Sequence, residues 1–228
     1  MARLLRLYPY WGPLLAGPLA LWAWARHWPG NAPLVALALV VPVVHAYVVP
    51  AVGTNVLGMW AFSTRLRLGR FRPHHGFVFG TATALIVLPV VAALDAVPGG
   101  AGAAATGLAV GLVLFLVNWA YDAVALRHGI LEVYNQPWSE GAGPWRIAAD
   151  YAPWFFGVFG LVYGAGLRIA EAELLAAPDP GRAAGIGAGL VAATITLPTL
   201  GYVVASRLRH GHFGVRPCPP PRREVDAT

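Results

Sequence analysis

The chain has 228 residues, 57% of them hydrophobic and 11% charged, with a mean hydropathy of +0.60. An ordinary soluble domain is excluded, because several almost uncharged runs reach the ~20 residues that cross a ~30 Å hydrocarbon layer. The net charge of +6 comes from arginine alone. Basic residues beside apolar runs set membrane orientation, so this charge does not imply a nucleic-acid partner.

The apolar runs predict an all-α, polytopic membrane bundle of six spans, at about residues 8–25, 32–55, 76–96, 104–126, 148–167 and 183–204. Residues 1–206 form one transmembrane domain, and the basic, Pro-rich tail 207–228 is expected to be disordered. With the N-terminus inside, 13 of the 16 arginines fall on the cytoplasmic side, leaving Arg26, Arg168 and Arg182 opposite. Both termini are therefore expected in the cytoplasm and the chain in the inner membrane. Cys218 is the only cysteine, which excludes an intrachain disulfide.

The first span carries a small-x-small triplet, Ala23-Trp24-Ala25, of the kind found at signal cleavage sites. Pro13, Pro18 and its tryptophans suit a retained helix with interfacial aromatics better. Span two places His45 near mid-depth, where a lone histidine is expected to be neutral and hydrogen-bonded, and Pro42 and Pro50 are expected to bend the helix.

The following loop, "TRLRLGRFRPHHGFVFG", carries Arg65, Arg67, Arg70 and Arg72. The positive-inside rule accounts for the arginines as contacts to anionic lipid. Arg72, His74 and His75 stand against the start of a span, where free helix amides near Gly76 favour a phosphate or carboxylate, so they are candidate head-group ligands.

An ionisable side chain at mid-bilayer costs roughly 2.5 to 3.5 kcal/mol. Such groups gather near the predicted cytoplasmic side: Asn55, Trp60, His74, His75, Asn118, Asp122, His128, Glu132, Asn135 and Asp150. The other side offers Asp95 and the acidic segment around Glu171, Glu173 and Asp179. On an ideal helix, Asn118, Tyr121, Asp122, His128 and Glu132 share one arc of about 120°, with Arg127 turned away. Interhelical hydrogen bonding explains such a stripe, and so does a catalytic or binding face. Half of a metal site from His128 and Glu132, completed by His74 or His75, has no supporting motif, so no metal or cofactor is assigned.

In "IAADYAPWFFGVFGLVYGAG", Asp150 is expected near a helix start, with Pro153 in the first turn. Gly157, Gly160 and Gly164 fall on one face and permit close helix approach. The last span, with Gly185, Gly189, Thr194 and Pro198, reads as packing around a kink.

The chain lacks GxSxG, GxxxxGK[ST], CxxC and paired-aspartate motifs, which argues against serine nucleophiles, ATP hydrolysis and thiol redox chemistry. The resulting expectation is a membrane enzyme for cyclisation, isomerisation or hydration of a lipid or isoprenoid, its site opening toward the cytoplasm. Asp122, Glu132, Asp150 and His128 are the candidate acid–base residues. Arg72, His74, His75, Asn118, Tyr121, Asn55, Trp60 and Trp154 are the candidate substrate contacts. The same groups also suit a proton-coupled or small-molecule transporter, or a scaffold with an arginine-rich docking loop. Membrane lipids and a hydrophobic small molecule are the expected partners, and the oligomeric state stays open.

Overall fold

A computed structural model of the chain describes residues 2–69, 72–97 and 99–221, so Arg70 of the arginine-rich loop lies outside the described residues. The helices are α1 (Ala2–His27), α2 (Ala32–Pro50), α3 (His75–Ala93), α4 (Gly99–Arg127), α5 (Gln136–Ser139), α6 (Pro144–Ala152), α7 (Phe159–Leu174) and α8 (Pro180–His210). Two short strands, β1 (Trp60–Phe62) and β2 (Leu131–Val133), form an antiparallel ribbon in an otherwise helical chain. Two prolines stand at wide π turns: Ala51–Val56 follows Pro50 and extends α2, and Pro153–Val158 begins at Pro153 and joins α6 to α7. A proline cannot donate its backbone N–H, and a π turn absorbs the resulting gap without breaking the rod.

Among the described residues, five helices are long and apolar enough to cross a membrane: Ala32–Val56, His75–Ala93, Gly99–Arg127, Pro144–Leu174 and Pro180–His210. This is the pattern of a multi-pass membrane protein. The N-terminal helix α1, expected as a sixth span, is not among the five; it carries Pro9, Pro13 and Pro18 along its 26 residues. It nevertheless joins the core, because Trp24 is fully buried and its indole N–H donates to the Ala84 carbonyl of α3 at 3.0 Å. Large apolar side chains such as Leu14, Trp22, Leu108, Leu112 and Leu200 point outward.

The core lies between α1, α2, α3, α4 and α7, where Leu34, Val41, Val87, Leu114, Tyr163 and Leu167 are fully buried or nearly so. The expected glycine face is real. A Cβ on Gly160 would stand 2.9 Å from both the Gly111 Cα and the Val110 carbonyl oxygen of α4, so only glycine lets these two backbones approach so closely.

Three local expectations are corrected. Helix α4 stops at Arg127: Gly129 takes a positive φ of 63°, and the Ile130 N–H returns to the Ala125 carbonyl at 2.9 Å. That is a glycine C-cap of the Schellman type, and it turns residues 131–133 into strand. Helix α6 begins at Pro144, so Asp150 is not at its start and Pro153 sits mid-rod. The last span is longer than the expected 183–204. α8 runs to His210 and ends on Gly211 at φ 76°, and the chain then folds back so that the Cys218 N–H meets the Tyr134 carbonyl at 2.8 Å. Residues 222–228 of the expected disordered tail lie outside the described residues.

Candidate active site

The β1–β2 ribbon closes one end of the bundle over a cavity of about 300 Å³. The ribbon's alternation decides what faces inward: Trp60, Phe62, Leu131 and Val133 line the cavity, and the paired Ala61 and Glu132 between them do not. Trp60 lies across Gly53 of the first π turn, where a Cβ would come within 2.1 Å of the indole. Further rings come from Phe79 of α3, from Phe155 and Phe156 of the second π turn and from Phe159 of α7. Against this apolar wall stand a few polar side chains, chiefly His45, Asn118, Asp122, Asn135, Tyr151 and Tyr202.

Asp122 is 4% exposed, and its Oδ2 accepts a 2.7 Å hydrogen bond from the Tyr151 hydroxyl of α6. No ion pair reaches Asp122 among the described residues. A carboxyl and a phenol in direct contact, both on the wall of an apolar chamber, can exchange a proton with each other and with a third group placed between them. One turn before Asp122, Asn118 also lines the cavity and donates to the Leu114 carbonyl at 2.8 Å.

His45, expected to be hydrogen-bonded, lines the cavity and bonds the backbone of Thr194 in α8. Its ring lies 4.2 Å from that of Phe159, centroid to centroid, and its buried Nδ1 has no hydrogen-bond partner among the described residues. The cavity thus contains an unpaired ring nitrogen on the histidine that the sequence places near mid-span.

Of the other expected site residues, Trp60 joins Asn118 and Asp122 on the cavity wall. Trp154 does not: its ring packs on α8, where a Cβ on Gly201 would stand 2.5 Å away. Asn55 is exposed. Tyr121 meets Phe79 edge-on at 6.1 Å without lining the cavity. Glu132 is exposed on the far face of the ribbon and accepts from the Tyr134 hydroxyl at 2.5 Å. His128 sits at the α4 cap, outside the helix that was to align it with Asp122. His128 and Glu132 therefore leave the projected stripe, because an ideal helix was carried through a glycine that terminates it.

Arg72, His74 and His75 form a corner outside the cavity. Arg72 is 7% exposed and donates to the Phe62 carbonyl, pinning β1 to the start of α3. His75 is buried and meets Phe62 edge-on at 4.2 Å. His74 stacks on Tyr10 at 5.5 Å, and burial followed by the Arg72 charge pushes its pKa below the usual histidine range.

Asp150 is a saturated joint. It is 4% exposed; Oδ1 meets His210 Nε2 at 2.9 Å and Arg209 at 3.3 Å, and Oδ2 accepts from the Asn135 amide at 3.1 Å. Arg209 also donates to the Asp150 carbonyl at 3.1 Å, and Asn135 to that of Ile147 at 3.0 Å. This carboxylate ties α6, α8 and the α5 segment together and does not line the cavity.

At the opposite end, Arg168 pairs with Asp95 at 3.0 Å and with Glu171, and donates to the carbonyls of Leu94, Asp95 and Val97. Glu171 also accepts from the Trp28 indole at 2.8 Å. The donor atoms of His27, Asp95 and Glu171 lie within 4.8 Å of one another, the spacing of a metal site, but the guanidinium already supplies the positive charge. Comparison with protein-family models, curated protein sequences and solved structures returned no match to the chain.

Proposed function

We propose that the protein is a membrane-embedded enzyme that carries out proton-transfer chemistry, a cyclisation, isomerisation or hydration, on a lipid or isoprenoid substrate. The observation that carries this reading is the Asp122–Tyr151 hydrogen bond of 2.7 Å on the wall of an apolar cavity of about 300 Å³. A buried ionisable group in a membrane bundle costs several kcal/mol, and Asp122 offsets none of that through an ion pair. Asp150, by contrast, is explained by its structural partners.

In this mechanism Asp122 gives a proton to an alkene, epoxide or carbonyl in the cavity and recovers one from the product side. Tyr151 holds the carboxyl in one rotamer and shares its proton. The rings of Trp60, Phe155, Phe156 and Phe159 line the space where positive charge would develop and can stabilise it through their π faces. His45, with its unpaired Nδ1, is the acceptor available to a substrate hydroxyl or a captured water. The apolar wall excludes bulk water, which would otherwise quench a cationic intermediate.

The positive-inside count supports six spans with α1 included, both termini in the cytoplasm, and location in the inner membrane. The ribbon end of the cavity then faces the cytoplasm. The test is untargeted lipid analysis of membranes containing the wild-type chain, Asp122→Asn or no protein. A lipid species that changes with the wild type and reverts with Asp122→Asn at equal protein level supports the enzyme. Identical lipid profiles in all three membranes rule it out.

A further inference from the structure

The β1–β2 ribbon has a second face. Beneath it an open hollow of about 450 Å³ is lined by Phe62, Thr64, Arg65, Arg67, Arg72 and Glu132. Phe62 lines both this hollow and the apolar cavity, so a single residue of β1 separates the two spaces. Three arginines face a single carboxylate there, and that carboxylate is engaged by the Tyr134 hydroxyl.

Orientation of the chain alone does not explain the hollow, because one group in it is costly as it stands. Thr64 is 8% exposed and its Oγ1 has no hydrogen-bond partner among the described residues. Leaving a buried hydroxyl unsatisfied is destabilising, and a ligand oxygen would remove the penalty. Arg65 and Arg67 are exposed, while Arg72 holds β1 through the Phe62 carbonyl. Arg67 and Arg72 line the same hollow, and burial, then repulsion from the charge of Arg67, hold Arg72 below the ordinary arginine range. An anion between them relieves that repulsion.

We propose that this hollow is the head-group site for the ligand of the apolar cavity: a phosphate or diphosphate ester of a single-chain lipid alcohol. The anionic group rests on Thr64, Arg65 and Arg67, and the chain passes Phe62 into the cavity. The volume argues for one chain, since about 300 Å³ lies at the small end of ligand pockets and does not accommodate two acyl tails. The proposal rests on reading the cavity as the substrate chamber, and a binding measurement separates the two ideas.

The experiment uses the full chain in neutral detergent and titrates it with farnesyl phosphate, farnesol and inorganic phosphate. Farnesyl phosphate should bind at least about tenfold (1.4 kcal/mol) more tightly than either fragment. The double variant Arg65→Gln/Arg67→Gln should lose that advantage while leaving farnesol affinity unchanged, and both positions are exposed, so the fold survives. Thr64→Val should weaken farnesyl phosphate severalfold and leave farnesol untouched. Asp122→Asn should bind like the wild type, so failure of the chemistry does not obscure the binding result. Equal affinity for the ester and the alcohol overturns the head-group site. Equal affinity for inorganic phosphate and the ester overturns the threaded chain. Binding to phosphatidylglycerol vesicles that depends on surface charge alone, with no preference for farnesyl phosphate, assigns the arginines to bulk lipid and also overturns it.

Discussion

The Tyr151 hydroxyl donates a 2.7 Å hydrogen bond to the Asp122 carboxyl across the α4–α6 junction, and both side chains line the same apolar cavity. Tyr151→Phe keeps the ring and removes the donor. If Tyr151 positions the Asp122 proton, the variant turns over lipid at a rate between that of the wild type and that of Asp122→Asn. The loss should not exceed the roughly 10²- to 10⁴-fold span of general acid–base contributions. Comparing the rates of the three proteins in membranes checks this; a Tyr151→Phe rate equal to wild type would detach the phenol from the chemistry.

The α4–α7 contact makes a separate prediction about stability. Gly160→Ala introduces a Cβ 2.9 Å from backbone atoms of Gly111 and Val110, which cannot swing aside as a side-chain tip can. Overpacking of this kind costs about 1 to 3 kcal/mol. Gly185→Ala in α8 meets nothing within 4 Å and should leave the melting temperature unchanged or slightly raised. Thermal melts in one detergent distinguish the two positions.

At the far end, Arg168→Gln removes the cation from Asp95 and Glu171 and should destabilise the protein by about 2 to 3 kcal/mol, the scale of hydrogen bonds to charged groups. It also leaves three metal-type donors within 4.8 Å of one another. Added Zn²⁺ should therefore raise the melting temperature of Arg168→Gln and not that of the wild type, by binding the folded state alone. An equal response in both would show that the arginine does not occupy the site.

The sequence made some of this legible and hid the rest for identifiable reasons. Apolar run length located the five long helices, and spacing alone found the Gly160 face and the Asn118–Asp122 turn. His128 and Glu132 were misplaced although the signal was present: Arg127-His128-Gly129 is a basic last turn followed by a C-cap glycine, and it ends a helix. The ribbon of three-residue strands is too short to leave a periodic pattern. Tyr151 beside Asp122, the unpaired His45 Nδ1 and the Thr64 hydroxyl depend on contacts between distant segments, which no local pattern encodes. Asp150 was found, but its partners were not: only the folded chain brings Arg209 and His210 onto it.

That last contact predicts the behaviour of the tail. Cys218 is half-buried beside Gln136, and burial first, then the charges of Asp150 and Glu140, raise its thiol above the ordinary range. The thiolate is the reactive form, so a raised pKa means less of it at any given pH. Iodoacetamide should modify Cys218 more slowly in the folded protein than in a tail peptide at pH 8, and its rate–pH profile should rise above the ordinary thiol value of about 8.5. Asp150→Asn removes one of the raising charges and also the anchor that holds Arg209 and His210. Its profile should shift toward that of the peptide, with severalfold faster labelling at pH 8 and tryptic cleavage after Arg209 accelerated. Lipid turnover should change far less than in Asp122→Asn, because Asp150 holds the tail against the bundle and reaches the cavity only through Asn135, without lining it. A variant that labels like wild type but loses turnover would reverse the two carboxylates' roles.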